Sequence, residues 1–290
     1  MPRPASFPTG YLRDDEKTEY PSHYQLLSAG PPTLQKADHL FARKGLIWQA
    51  DVGMCVGAWL KRAVQLWLEL NGHAAPAMIS GKFAYDIGRS MAYAGMEPEN
   101  VPPLRDAGSQ VRLVLVGAQR LGLADEAHYP DPTSPDWNPA NVNRRPSPDD
   151  IINAYDMRDL EFYEVSRGAW GIRESIRACM VRRHPVGIAL FVDSGVFANE
   201  GEIVTDINES DPSGGGHMVG VLDASHDEYA VLDNWWDNPG LGIEWGMPLP
   251  NALDLPRGVW RVAWPLLESR IKACFAVEAV PLQRAADAIA

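Results

Sequence analysis

The sequence predicts an α+β fold, with helices gathered in the first half of the chain and strands in the second, on three observations. Apolar residues recur at helical spacing in segments between Val56 and Leu121. A polar stretch with prolines at 132, 135, 139, 146 and 148 then interrupts the chain, and apolar, β-branched runs bounded by Gly and Pro follow from residue 186 onward. Connections beyond about 12 to 15 residues usually carry function or join larger units, so residues 131–150 read as a crossing between lobes. The expected division is an extended leader over residues 1–38, a helical lobe with its crossing over 39–150, and a β-rich lobe over 151–290, forming one domain overall.

The leader is rich in Pro, charge and Tyr and reads as a segment wrapped on the surface. Between residues 49 and 70, Val56, Leu60, Ala63, Val64 and Trp67 lie on one stripe of a helix that Asn71-Gly72 terminates. Gly53 and Gly57 flank Cys55, which falls in or beside the first helical turn. Ile79, Phe83, Ile87 and Met91 mark a second helix ended by Gly95. Val111, Val114, Leu115, Ala118 and Leu121 mark a third, with Ser109 as N-cap and Gly122 as stop. Beyond the crossing, Ile172, Ile176, Cys179 and Met180 give a further helix that His184-Pro185 breaks. Strands are expected at 186–192, 217–222, 229–234, 258–264 and 271–280, with Cys179 and Cys274 as packing residues.

Composition narrows the function classes. The 290 residues carry a formal net charge of -12, and the basic pairs Lys61-Arg62, Arg144-Arg145 and Arg182-Arg183 are scattered, which argues against nucleic acid as a partner. No apolar run approaches the roughly 18 residues of a membrane span, and residues 1–8 lack the apolar core of a secretory signal. Cysteines at 55, 179 and 274 form an odd, sparse set without CxxC spacing, so neither a disulfide framework nor a zinc site is indicated. A reducing compartment is expected, cytoplasmic or within a virus particle, with no cofactor and no metal.

Cys55 stands apart because a helix N-terminus favours negative charge. A free thiol titrates near ~8.5, and such a site with an imidazolium nearby lowers that value, giving a nucleophile. The imidazole is offered by Gly214-Gly-Gly-His217, which opens a run ending at Leu222; a polar turn and a second run from Tyr229 to Asn234 complete a hairpin. If Leu222 pairs with Tyr229, His217 and Asn234 fall directly opposite on one face, and the amide oxygen can fix the imidazole tautomer. The histidines at 23, 39, 73, 128, 184 and 226 read as surface or structural residues.

Gln49 six residues before Cys55, Gly215-Gly216-His217, and Asn234 followed at 236 by Trp together resemble the papain-like cysteine peptidases, especially their compact bacterial and phage-type relatives. Asp106-Ala-Gly108, Gly122-Leu-Ala-Asp-Glu126 and Tyr129-Pro130 are similar to the segment before the family's interlobe crossing. The resemblance implies a two-lobe fold, a helical lobe bearing the cysteine packed against a β-rich lobe bearing His and Asn, with a peptide or protein substrate in the cleft. It also implies roles: Cys55 the nucleophile, His217 its acid-base partner, Asn234 the orienter, Gln49 with the Cys55 backbone N–H the oxyanion hole, and Trp236 a shield over the His-Asn hydrogen bond. Val52, Met54 and Val56 depart from the family's C-G-[SA]-C-[WY] signature, and His217 and Asn234 stand farther from Cys55 than the usual ~130 to 150 residues. Two other readings stand beside the peptidase: an inactive binding or structural protein of this fold, such as part of a phage particle, and a Cys-His amidase or acyl transferase.

Overall fold

The computed structural model describes residues 11–12, 23–24, 49, 52–72, 78–154, 160–167, 171–193, 195–196, 202–233 and 259–279. Three helices dominate the first half: α1 (Cys55–Leu70), α2 (Gly81–Met91) and α3 (Val111–Leu121), with a short α4 (Pro148–Ala154) after the crossing. The second half is a mixed sheet with helices α5 (Ile172–Val181) and α6 (Trp264–Arg270). Its longer strands are β4 (Leu160–Val165), β5 (Val186–Val192), β7 (Gly215–Asp223), β8 (Tyr229–Asp233), β9 (Val259–Ala263) and β10 (Ala273–Ala279). The two-residue strands β1 (Tyr11–Leu12), β2 (His23–Tyr24), β3 (Ser109–Gln110) and β6 (Ile203–Val204) complete the set.

Eight strands run in the order β2-β4-β10-β5-β7-β8-β9-β6, antiparallel except for β2 on β4 and β6 on β9. The interior position of β5 explains its unbroken apolar sequence, because a strand covered on both faces needs no polar side. Side chains alternate accordingly. Ala189, Met218, Phe275 and Val277 pack with α1, whereas Ile188, Leu190, Val219, Cys274 and Ala276 pack with Ile176 and Cys179 of α5 and Leu267 of α6. The helix bearing Cys55 therefore lies directly on the sheet. Gly187 admits it: a Cβ there would run into the Trp59 indole. Gly57 and Gly81 do the same between α1 and α2, since a Cβ on Gly57 would run into the Gly81 carbonyl.

Several sequence expectations are corrected. α1 is buried from Cys55 to Leu68 rather than along one stripe, and Lys61 and Arg62, one of the scattered basic pairs, are inside. Lys61 Nζ reaches Glu126 at 2.6 Å and Asp131 at 2.8 Å. α2 begins at Gly81 behind the N-cap Ser80, whose Oγ accepts from Phe83 N, while Ile79 forms a bridge with Asp125. α3 is capped by Gln110 rather than Ser109, because Ser109 pairs with Tyr11 in a parallel ladder; Gly122 ends the helix at φ 84° as its sequence suggests. The strand expected over 258–264 stops at Ala263, where Trp264-Pro265 starts α6, and the last strand begins at Ala273 rather than 271. β4 and the short α4 and α6 have no counterpart in the sequence reading.

The hairpin register also differs. Gly220 pairs with Asp233 and Val221 with Leu232, and after a shift Asp223 pairs with Val231, so Tyr229 does not take the expected place opposite Leu222; on its other edge it pairs with Ala263 of β9. The physical cause is the turn. Arg177 donates to the carbonyls of Ala224 (2.7 Å) and His226 (2.9 Å), and Trp264 Nε1 donates to His226 O (2.8 Å), holding a longer loop than a tight hairpin needs. At the end of the ladder nearer His217 the displacement is two residues, so the expected direct pairing of His217 with position 234 does not follow from the observed register.

Candidate active site

The site begins at the turn before α1. Gly53 N donates to Asp106 Oδ1 at 3.0 Å, Tyr85 Oη donates to the same oxygen at 2.6 Å, and Gly108 N donates to Tyr85 Oη at 3.1 Å. Burial raises the Tyr85 phenol well above its ordinary range, and the neighbouring Asp106 carboxylate adds to the effect, so Tyr85 stays a proton donor. These bonds staple the Val52-Gly53-Met54 turn to α2 and to the start of α3. Beyond the Asp106-Ala-Gly108 likeness, nothing local in the sequence marks Tyr85 and Asp106 for this role.

Cys55 is the first residue of α1, so its sulfur sits where the unpaired N–H groups of a helix terminus concentrate positive potential. Its Sγ accepts a hydrogen bond from Met218 N at 3.3 Å, across 163 residues of sequence. Met218 follows His217 on β7, where His217 pairs with Leu190 of β5 and its ring lies 6.2 Å from that of Trp260. The thiol thus meets the backbone of the strand that carries the imidazole, at the residue after it, while His217, opposite Leu190, lies on the alternate side of that strand from Met218. Gln49 is tied to the residues just before α1, its Nε2 donating to Val52 O at 3.1 Å. Asn234 and Trp236 lie outside the described residues.

Cys55 is 0 % and His217 1 % exposed, so both side chains are enclosed. β1 pairs with β3 and lies against β7. The other two thiols sit in a different setting. Burial pushes Cys179 up to about 12 and Cys274 well above the ordinary thiol value, so both are held protonated near neutral pH. Among the described residues, no three His, Cys, Asp or Glu side chains converge as metal ligands would, and no helix is long and apolar enough to cross a membrane.

No protein-family model matches the chain, and no curated protein does. Solved structures do. The chain is similar to xylellain, a cysteine protease from Xylella fastidiosa, with a TM-score of 0.64 at 16% identity over 97% of this chain and 99% of that one. It is also similar to proCathepsin B S9 from Trypanosoma congolense, at TM-score 0.54 and 12% identity over 94% of this chain and 82% of that one. The bromelain protease from Ananas comosus, solved with the E64 inhibitor, gives 0.50 and 13% over 82% and 95%. At such identities the likeness is one of fold. The α+β architecture expected from the sequence is that of the papain-like cysteine proteases.

Proposed function

We propose that this chain is a cysteine peptidase of the compact bacterial and phage-type kind, hydrolysing peptide bonds through a thioester on Cys55. The Cys55 thiolate attacks the substrate carbonyl carbon while His217 carries the proton. The Gln49 side chain and the Cys55 backbone N–H receive the developing oxyanion. His217 then protonates the leaving amine, the C–N bond breaks, and an acyl-thioester remains. Water, deprotonated by His217, attacks that thioester and returns the thiol. Asn234 holds the imidazole in the productive tautomer, and Trp236 keeps water from their hydrogen bond.

The observation that carries the reading is the hydrogen bond from Met218 N to Cys55 Sγ. A helix N-terminus and a backbone donor at one sulfur both favour its anionic form, and that donor belongs to the residue directly after the histidine the chemistry needs. The fold shared with xylellain over nearly the whole of both chains supports the same assignment.

A peptide library incubated with the full chain under reducing conditions tests it. Internal cleavage yielding new α-amino and α-carboxyl ends, abolished after Cys55 is alkylated, is the expected result. Products that are transferred acyl groups or released side-chain ammonia would point instead to an acyl transferase or amidase. Cleavage persisting after alkylation of Cys55 would overturn the assignment.

A further inference from the structure

We propose that the buried ion pair between Arg62 and Asp233 is a positioning device for the reaction described above. It fixes the helix that carries Cys55 against the hairpin that carries His217. The inference rests on the peptidase reading. Arg62 Nη1 donates to Asp233 Oδ2 at 2.7 Å, with side-chain exposures of 3 % and 0 % and 171 residues of sequence between them. Arg62 lies about two turns beyond Cys55 on α1. Asp233 is the last residue of β8, opposite Gly220 of β7 and Val259 of β9, and is the immediate sequence neighbour of Asn234. One contact therefore joins the nucleophile's helix to β8, which pairs with the strand that carries the base.

Stability alone gives a weak reason for such a pair. Two charges withdrawn from water lose hydration that their attraction only partly restores, and well-packed apolar side chains commonly do as well or better. The cost is visible here: burial lowers the Arg62 guanidinium below its ordinary value even with Asp233 beside it. What an apolar contact does not supply is a fixed distance and angle. A guanidinium–carboxylate contact is directional, whereas packed methyl groups can slide. Attack by a thiolate needs that precision, because a misplacement of about 1 Å can cost on the order of 100-fold in rate.

Two variants of the full chain test the assignment. Asp233→Glu keeps both charges and lengthens the acidic arm by one methylene, and the double variant Arg62→Met with Asp233→Leu replaces the pair by apolar side chains. Both are expected to keep a cooperative melting transition and a KM within about twofold of wild type, while kcat falls about 10- to 100-fold. The acid limb of Cys55 alkylation by iodoacetamide should move toward the free-thiol value of ~8.5. Wild-type kcat with an unshifted limb in either folded variant would overturn the inference. Loss of cooperative melting in both would overturn it too, marking the pair as a stability element. A wild-type chain that neither cleaves peptides nor alkylates selectively at Cys55 would overturn the peptidase reading itself, and this inference with it, before any variant is compared.

Discussion

Replacing Cys55 with Ala is expected to lower kcat/KM for peptide hydrolysis by roughly four to six orders of magnitude while leaving the fold in place. The proposed mechanism has no other nucleophile: Cys179 and Cys274 belong to the core on the far face of the sheet, and burial keeps both protonated. Loss of a covalent nucleophile removes the whole acyl-enzyme route, leaving only binding and oxyanion stabilisation, typically a factor of about 10³ to 10⁴ over water. The structural cost should be small. Removing one sulfur from a buried site forfeits about 1 kcal/mol of burial, little beside the several kcal/mol that a domain of this size holds. Turnover on peptides and a thermal melt, run on the same preparation, check both halves. Retained hydrolysis in a folded Cys55→Ala protein would end the assignment.

The largest effect on stability is expected at Asp131. Its carboxylate accepts from Lys61 Nζ at 2.8 Å, Ser80 Oγ at 2.9 Å, Lys82 N at 2.8 Å and Gly81 N at 3.2 Å. One buried side chain thus neutralises a lysine of α1 and receives the first backbone N–H groups of α2, whose own partners a helix cannot supply. Asp131→Ala should destabilise the protein by about 3 to 5 kcal/mol, since it leaves a buried ammonium half-paired and two N–H groups without acceptors. Asp131→Asn, which keeps an acceptor oxygen but not the charge, should cost less. Urea denaturation distinguishes them, and a loss below about 1 kcal/mol in the alanine variant would contradict this account of the α1–α2 junction.

The same cluster sets a pH dependence. Burial works against the Lys61 ammonium, but Asp131 and Glu126 outweigh it and hold the group above its ordinary value. A lysine whose folded value is raised contributes its full stabilisation below the unfolded value of ~10.4 and loses it as pH climbs through the folded one. Its contribution is therefore complete at neutral pH and lost only in strong alkali.

How much of this was legible in the sequence depends on whether the signal was local. α1, α3 and β5 were readable because their periodicity or apolar run is written in consecutive residues, and Cys55 at a helix start was readable from Gly53 and Gly57 around it. β4 was not: Glu161, Tyr163 and Glu164 dilute its apolar positions, and its strand geometry comes from pairing with β10. α6 was hidden because Trp264 ends a β-branched run, while the Pro265 that suits a helix start also suits a strand end. The hairpin register went wrong by two residues because Arg177 and Trp264, both remote in sequence, hold the turn open.

Lys61 and Arg62 show the limit most clearly. Adjacent charges inside a helix look like solvated surface, and nothing local marks them as buried. Their partners are Glu126, Asp131 and Asp233, between 65 and 171 residues away. The crossing is anchored in the same way: Arg89 of α2 donates to Val142 O at 2.8 Å and to Asn143 Oδ1 at 3.1 Å, which gives a proline-rich stretch a defined course. Charge pairs over such separations follow from the topology and do not announce it.

The pH dependence of Cys55 alkylation by iodoacetamide, in the wild-type chain and in His217→Ala, tests the central claim most directly. If thiol and imidazole act as a pair, wild-type Cys55 reacts at pH values well below the ~8.5 of a free thiol, and loss of the imidazole removes that acid limb. A single titration at ~8.5 or above, the same in both proteins, would mean that the sulfur and the histidine do not work together.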